Sequence, residues 1–202
     1  MFNPNNFIWR WFGKLADFFL LSALWLLCCL PVVTIGGATI ALYDTATHCV
    51  RDCEGNMFRR FFRTLKNELV RGLILSVIWA ILGWLLNGGY QLVSQLGETS
   101  RTWNILSIVY FCTLFIPLAV GCWAVILESR FTNSVAELHR NAFIFTFAHL
   151  PCTAAITLLL ILVLNVCLNF LPLVILLPGL LAYLQSLFAE RVLKKYMPEE
   201  TE

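Results

Sequence analysis

The strongest constraint on this chain is where its charges are missing. No Asp, Glu, Lys or Arg occurs between Asp17 and Asp44, between Arg71 and Glu98, or between Arg101 and Glu128, and each of these gaps holds 26 residues. Between Arg140 and Glu190 the gap is 49 residues. A helix needs about 20 apolar residues to cross a hydrocarbon layer roughly 30 Å thick. The first three gaps each have room for one crossing and the fourth for two. A charge at mid-bilayer costs at least about 2.5 kcal/mol on the insertion scale, which explains gaps this clean.

Composition points the same way. Apolar residues make up 59% of the 202-residue chain and charged residues 13%, against about 45–50% and about 25% in a soluble domain. Water could not solvate that much apolar surface on a single globule. The net charge of +2 gives no electrostatic footprint for nucleic acid.

The expected fold is therefore all-α: a polytopic membrane helix bundle, with residues 1–202 forming a single membrane domain. Five transmembrane helices are expected at 15–35, 72–92 (with an extension to 96 open), 105–127, 142–164 and 171–188. Pro31, Pro117, Pro151, Pro172 and Pro178 fall within them, with Pro178-Gly179 expected to interrupt the fifth. Membrane helices tolerate proline because neighbouring groups satisfy the freed carbonyl. Counting Lys and Arg on alternate sides gives three against eleven. Cytoplasmic loops carry the excess, which puts the N-terminus outside and the C-terminus in the cytoplasm. An alternative stays open. Arg10 and Lys14 beside Trp9, Trp11 and Phe12 would suit an inside interfacial segment, with the first apolar run re-entering and four helices crossing.

Residues 38–71 are expected as a cytoplasmic loop. Within it, 39–51 reads as a helix too polar to span, and 57–71 as an amphipathic basic helix lying in the cytoplasmic interface. Phe58, Phe61, Phe62, Leu65 and Leu69 fall on one stripe at helical spacing. Arg59, Arg60, Arg63, Lys66 and Arg71 fall on the other side. This composition suits an anchor on anionic lipid. It also suits a docking helix for a protein partner, so Phe58, Arg59, Arg60, Phe61, Phe62, Arg63 and Lys66 are the candidate contact residues.

Motifs for chemistry are absent. Gly13-Lys14 lacks the upstream glycine and following hydroxyl of a phosphate loop, and no HExxH, GxSxG or CxxC occurs. His48, Cys49 and Cys53 have metal-ligand side chains but fall short of the four ligands of a structural zinc, and read as ordinary loop residues. No metal or cofactor is expected, nor an enzymatic activity. Cys28, Cys29, Cys112, Cys122, Cys152 and Cys167 sit in apolar runs, where cysteine packs as a small hydrophobe. His139 and His149 read as interfacial packing residues. Asn87 and Gln91, and likewise Asn165 and Asn169, are placed to hydrogen-bond between helices. Trp9, Trp11 and Trp103 fall near expected interfaces, where tryptophan anchors.

The chain resembles the YesL family of bacterial membrane proteins, whose molecular function is unknown. The resemblance rests on Met1-Phe2-Asn3-Pro4-Asn5-Asn6, Trp9-Arg10, Leu15-Ala16-Asp17, the run from Leu24 to Gly36, Ala41-Leu42-Tyr43, Arg51-Asp52 and Phe61-Phe62-Arg63. Farther on, Arg140-Asn141-Ala142-Phe143 and Leu150-Pro151 carry it. It implies a multi-pass protein of the bacterial cell membrane, encoded beside carbohydrate ABC importers. From this follows an expected role as accessory or regulatory subunit, with the lipid bilayer and importer permease or ATPase chains as partners. The permease coupling elements themselves are absent. A small independent transporter or channel is the alternative, and a membrane enzyme is least favoured.

Overall fold

A computed structural model describes residues 7–31, 34–52, 55–97, 101–131 and 134–196. Cys53, Ser100, the Met1–Asn6 signature and the 197–202 tail lie outside the described residues, as do the side chains of Trp9, Trp11 and Trp103. Every regular element among the described residues is helical. In chain order they are α1 (Phe7–Cys29), α2 (Ile35–Thr45), α3 (Met57–Asn67), α4 (Leu69–Gly97), α5 (Arg101–Thr113), α6 (Phe115–Glu128), α7 (Val135–Ala148), α8 (Leu150–Asn169) and α9 (Leu177–Leu193). A π-helical turn, Ala46–Arg51, continues α2, and a 3₁₀ turn, Leu171–Ile175, precedes α9.

Proline places most of the breaks. Its ring lacks an N–H and collides with the carbonyl four residues earlier. Pro117 sits four residues past Thr113, where α5 stops, and α6 resumes at Phe115. Pro151 likewise follows the end of α7, and the fourth apolar segment divides at His149 instead of running unbroken through 142–164. Thr153 repairs that junction: its hydroxyl donates to the Thr146 carbonyl at 3.1 Å, and its N–H to the His149 carbonyl at 2.9 Å. Pro178 lies in the first turn of α9, so it opens that helix where the sequence suggested an interruption. After α1, the Thr34 hydroxyl bonds to the carbonyls of Cys28 and Pro31.

Among the described residues, three helical stretches are long and apolar enough to cross a membrane: Leu69–Gln95, Ile108–Glu128 and Leu150–Asn169. Few of their side chains are buried. Trp84, Leu85, Leu92, Ile108, Leu162 and Leu168 are among the large apolar side chains left exposed there. Only a bilayer is a good solvent for such a surface, which makes this a membrane protein.

The segment 39–51, read as a helix too polar to span, lies in the core as α2 and its π turn. α2 is the innermost helix: Ala38, Ile40, Ala41, Leu42, Tyr43, Asp44 and Thr45 are all buried. Ile40 and Tyr43 join Leu75, Trp123, Leu127, Ile156 and Leu193 in one cluster, while Ala41, Leu42 and Ala46 join Phe18, Leu21, Phe61 and Ala182 in another. Part of its polarity is satisfied locally, as when the Thr47 hydroxyl donates to the Tyr43 carbonyl at 2.8 Å, while the Tyr43 and Thr45 hydroxyls have no hydrogen-bond partner among the described residues. Glycine lets α2 press against α4. A Cβ on Gly72 would strike the Gly37 backbone, and one on Gly36 the Gly72 carbonyl. Ser76 stitches the crossing, accepting from the Gly36 N–H at 2.7 Å and donating to the Gly72 carbonyl at 2.8 Å. Such small-residue crossings with a bridging hydroxyl are how helices pack without a hydrophobic drive.

Candidate functional site: a buried ionic network beside an apolar cavity

The first two charge-free gaps are joined by α3, which Gly55 and Asn56 start. Gly55 takes a positive φ of 73°, and the Asn56 side chain accepts from the N–H groups of Phe58 and Arg59. The helix ends at Asn67, and Arg71, expected on the basic face, belongs to α4. Its side chains also divide differently from the expected stripe. Phe61 is wholly buried and Leu65 half-buried, whereas Phe58 and Phe62 stay about half exposed. Arg60 turns inward, and Arg59, Arg63 and Lys66 remain outside.

Arg60 enters a chain of ion pairs that runs from helix to helix at one end of the bundle. Its Nε and Nη2 each donate to Asp44 at 2.9 Å, and the Thr64 hydroxyl donates to the same carboxylate at 2.7 Å. His48 Nδ1 lies 3.1 Å from Asp44 Oδ1. Its Nε2 lies 2.9 Å from Arg130 Nη1. A guanidinium can only donate, so Nε2 is the acceptor and the imidazole proton rests on Nδ1, toward Asp44. Arg130 in turn holds Glu190 through Nε at 2.8 Å and Nη2 at 2.6 Å. Arg51 sits 3.9 Å from the other Glu190 oxygen and pairs with Asp52 at 2.8 and 3.0 Å. The network thus links α2, its π turn, α3, the end of α6 and α9.

Three guanidiniums face three carboxylates around a neutral imidazole, so the formal charges cancel. Burial alone would push the Asp44 carboxyl up. The hydrogen bonds from His48, Arg60 and Thr64, with the Arg60 charge, outweigh it and hold the group well below the usual carboxylate range. The hydrogen bond from Arg51 also lowers the Asp52 carboxyl, against a smaller effect of burial. A separate clasp joins Arg71 Nη1 to the buried Glu128 at 3.4 Å. Groups this well matched to one another offer a structural lock and no vacant ligand position. Among the described residues no group of three or more His, Cys, Asp or Glu is placed to hold a metal ion.

The sequence reading missed most of this network. By sequence His48 reads as a loop residue, and nothing singles out Asp44, Arg130 and Glu190 as partners. A signal was present, because Asp44, Glu128 and Glu190 are the residues that close three of the four charge-free gaps. Each is buried and each takes an arginine from another element. The amides turn out differently from their expected role. Asn87 and Gln91 are exposed on α4, and Asn169 bonds to Asn165 at 2.8 Å within α8 instead of across to a neighbour. The histidines pack as read: His139 stacks on Trp79 with ring centroids 6.1 Å apart, and His149 Nε2 meets the Tyr196 hydroxyl at 3.1 Å.

Immediately beside the network, α1, α2, α4, α6, α8 and α9 surround a cavity of about 420 Å³. Tyr43 belongs to both features. Its ring lines the cavity, and its phenol is pushed up by burial and by the Glu190 carboxylate, which keeps it a protonated donor.

No curated protein and no solved structure matches the chain. Residues 18–89, which include Asp44, His48, Arg51, Arg60 and Arg71 but stop before Glu128, Arg130 and Glu190, match the profile of DUF624, a family of proteins of unknown function.

Proposed function

We propose that this chain is a non-catalytic, YesL-type protein of the bacterial cell membrane that serves as an accessory or regulatory subunit of a carbohydrate ABC importer. The observation that carries the reading is the outer face of α3. With Arg60 and Phe61 turned inward, Phe58, Arg59, Phe62, Arg63 and Lys66 are left as one exposed aromatic and basic strip. Aromatic and arginine side chains are the usual energetic anchors of protein interfaces. Ionisable side chains that neutralise one another in the interior fit a scaffold better than a reaction centre. The DUF624 match supports the YesL resemblance, since it covers the 24–36 run, Ala41-Leu42-Tyr43, Arg51-Asp52 and Phe61-Phe62-Arg63.

In this reading α1, α4, the α5–α6 pair, the α7–α8 pair and the α9 segment make five crossings. The N-terminus is outside, and α3 and the C-terminus are cytoplasmic, in keeping with the eleven-to-three distribution of Lys and Arg. The alternative of a small independent transporter or channel draws on the cavity between the helices.

Copurification in gentle detergent followed by mass spectrometry tests the proposal. The expected result is recovery of importer permease or ATPase chains with the wild type. Arg59→Lys or Arg63→Lys should lower that recovery without changing membrane insertion, because lysine cannot reproduce a bidentate arginine contact. Absence of such chains from the wild-type preparation would sink the accessory role. Equal recovery in both variants would leave α3 as a lipid anchor only.

A further inference from the structure

The cavity beside Tyr43 opens sideways. Leu118 on α6 and Leu164 on α8 line it and are also exposed on the outer surface, at 40% and 48%. Both belong to stretches apolar enough to cross a bilayer, Ile108–Glu128 and Leu150–Asn169. The mouth therefore faces hydrocarbon. It adjoins a second hollow of about 330 Å³, with which it shares Thr39, Trp79, Gly121 and Val125. The larger volume falls within the roughly 300–1,000 Å³ of small-molecule sites.

Its few polar atoms narrow the occupant. The Thr39 hydroxyl is occupied, donating to the Ile35 carbonyl at 2.7 Å and accepting from Trp25 Nε1 at 3.3 Å. Gln185 Nε2 donates to the Ile156 carbonyl at 3.4 Å. Two donors remain without a partner among the described residues: the hydroxyl of Tyr43, a residue only 2% exposed, and Trp79 Nε1. A buried water needs two to four polar partners, and the side chains lining the cavity are otherwise almost all apolar. An empty hollow of this size forfeits dispersion contacts on every wall. What fits is a flexible apolar chain that carries a hydrogen-bond acceptor at one end.

We propose that the cavity is a binding site for one acyl chain of a membrane phospholipid, which enters between α6 and α8 and whose ester oxygens accept hydrogen bonds from Tyr43 and Trp79. The lipid fills the space between α2 and the outer helices and satisfies the two donors together. This site is independent of any importer partner and of the strip on α3.

The full-length protein is reconstituted in phosphatidylglycerol vesicles doped with a phosphatidylglycerol whose acyl chain carries a diazirine. It is then irradiated, and the adducts are mapped by mass spectrometry. Lipid in the cavity leaves adducts on inner lining residues such as Cys122 and Ala182, which bulk bilayer lipid does not reach. Val163→Trp, which narrows the cavity from α8, should abolish those adducts, whereas Leu168→Trp on the outer face of the same helix should leave them. Tyr43→Phe and Trp79→Phe each keep a ring and remove one donor, and each should lower inner adducts roughly fivefold, the loss expected for one hydrogen bond. Adducts confined to outward residues such as Leu162 and Leu168 in the wild type would overturn the proposal. So would inner adducts that persist undiminished in well-folded Val163→Trp protein, or that are indifferent to both phenylalanine variants.

Discussion

Arg60 and Asp44 form a two-point clasp, Nε and Nη2 each 2.9 Å from a different carboxylate oxygen. It ties the face of α3 to the innermost helix of the bundle. One basic residue of the Arg59-Arg60-Phe61-Phe62-Arg63 run thus has a task unlike its neighbours'. Arg60→Lys keeps the charge and loses the fork. It should lower the thermal midpoint of the purified protein, by a destabilisation of about 1–3 kcal/mol for one charge-assisted hydrogen bond lost. Arg59→Lys and Arg63→Lys, on exposed positions, should shift it by less than about 0.5 kcal/mol. Equal midpoints for all three variants would refute the clasp.

Asp44 makes the stability of the network depend on pH in a defined direction. Its folded-state pKa is depressed, so the folded chain binds this proton less readily than the unfolded one. The stabilisation is fully present above the unfolded value of about 3.9 and is lost as pH falls toward the lower folded value. Asp44→Asn removes one partner of a buried pair and should cost about 3–5 kcal/mol at neutral pH. The gap between wild type and variant should narrow as the pH is taken below about 4, measured by thermal unfolding in detergent across that range. A gap that stays constant down to pH 2 would mean that Asp44 does not titrate as the geometry requires.

The α2–α4 crossing gives a steric prediction. A methyl group on Gly72 meets backbone atoms of Gly37, which cannot rotate away as a side chain can. Gly72→Ala should destabilise by about 1–3 kcal/mol through overpacking. Gly83→Ala, on the same helix with open space around its Cα, should be neutral or slightly stabilising. Comparing their unfolding midpoints checks the crossing without reference to function.

Topology can be read with single cysteines in a background stripped of native ones, probed by an impermeant maleimide on intact cells. Ser100→Cys should label from outside, and Asn56→Cys and Thr201→Cys only after permeabilisation. Labelling of Asn56→Cys in intact cells would invert the orientation. Asn3→Cys discriminates the five-crossing arrangement, in which it labels, from the re-entrant one, in which it does not.

The helices that could be read from the sequence were those on which one physical signal acted alone. α4 runs where hydropathy placed it because nothing interrupts it, and the α5–α6 break follows from the ring of Pro117. For α2 the helix was legible and its burial was not. Asp44, Thr47 and His48 mark the segment 39–51 as too polar to span, and a linear scan cannot see that these groups bond to the backbone, to Arg60 and to Arg130. α3 was half legible. Helical periodicity grouped its phenylalanines correctly by angle, but only Phe61 points at a neighbour, and which residue meets one is decided by packing. The ionic network spans separations of up to 139 residues, from Arg51 to Glu190, and periodicity carries no information at that range. The acids that end the charge-free runs marked its positions without naming their partners.

Those separations set an order of events during synthesis. The Asp44–Arg60 clasp can close once sixteen more residues have left the ribosome. Arg130 meets His48 only 82 residues after that histidine, and Glu190 comes 60 residues later still. Until α9 is made, Arg130 has no Glu190 to face, while Arg51 keeps its two-point pair with Asp52. The charge balance of the interior thus records whether α9 is in place. A nascent or truncated protein ending before α9 leaves the Arg130 guanidinium without its carboxylate inside the bundle, the kind of fault that a membrane quality-control protease can recognise.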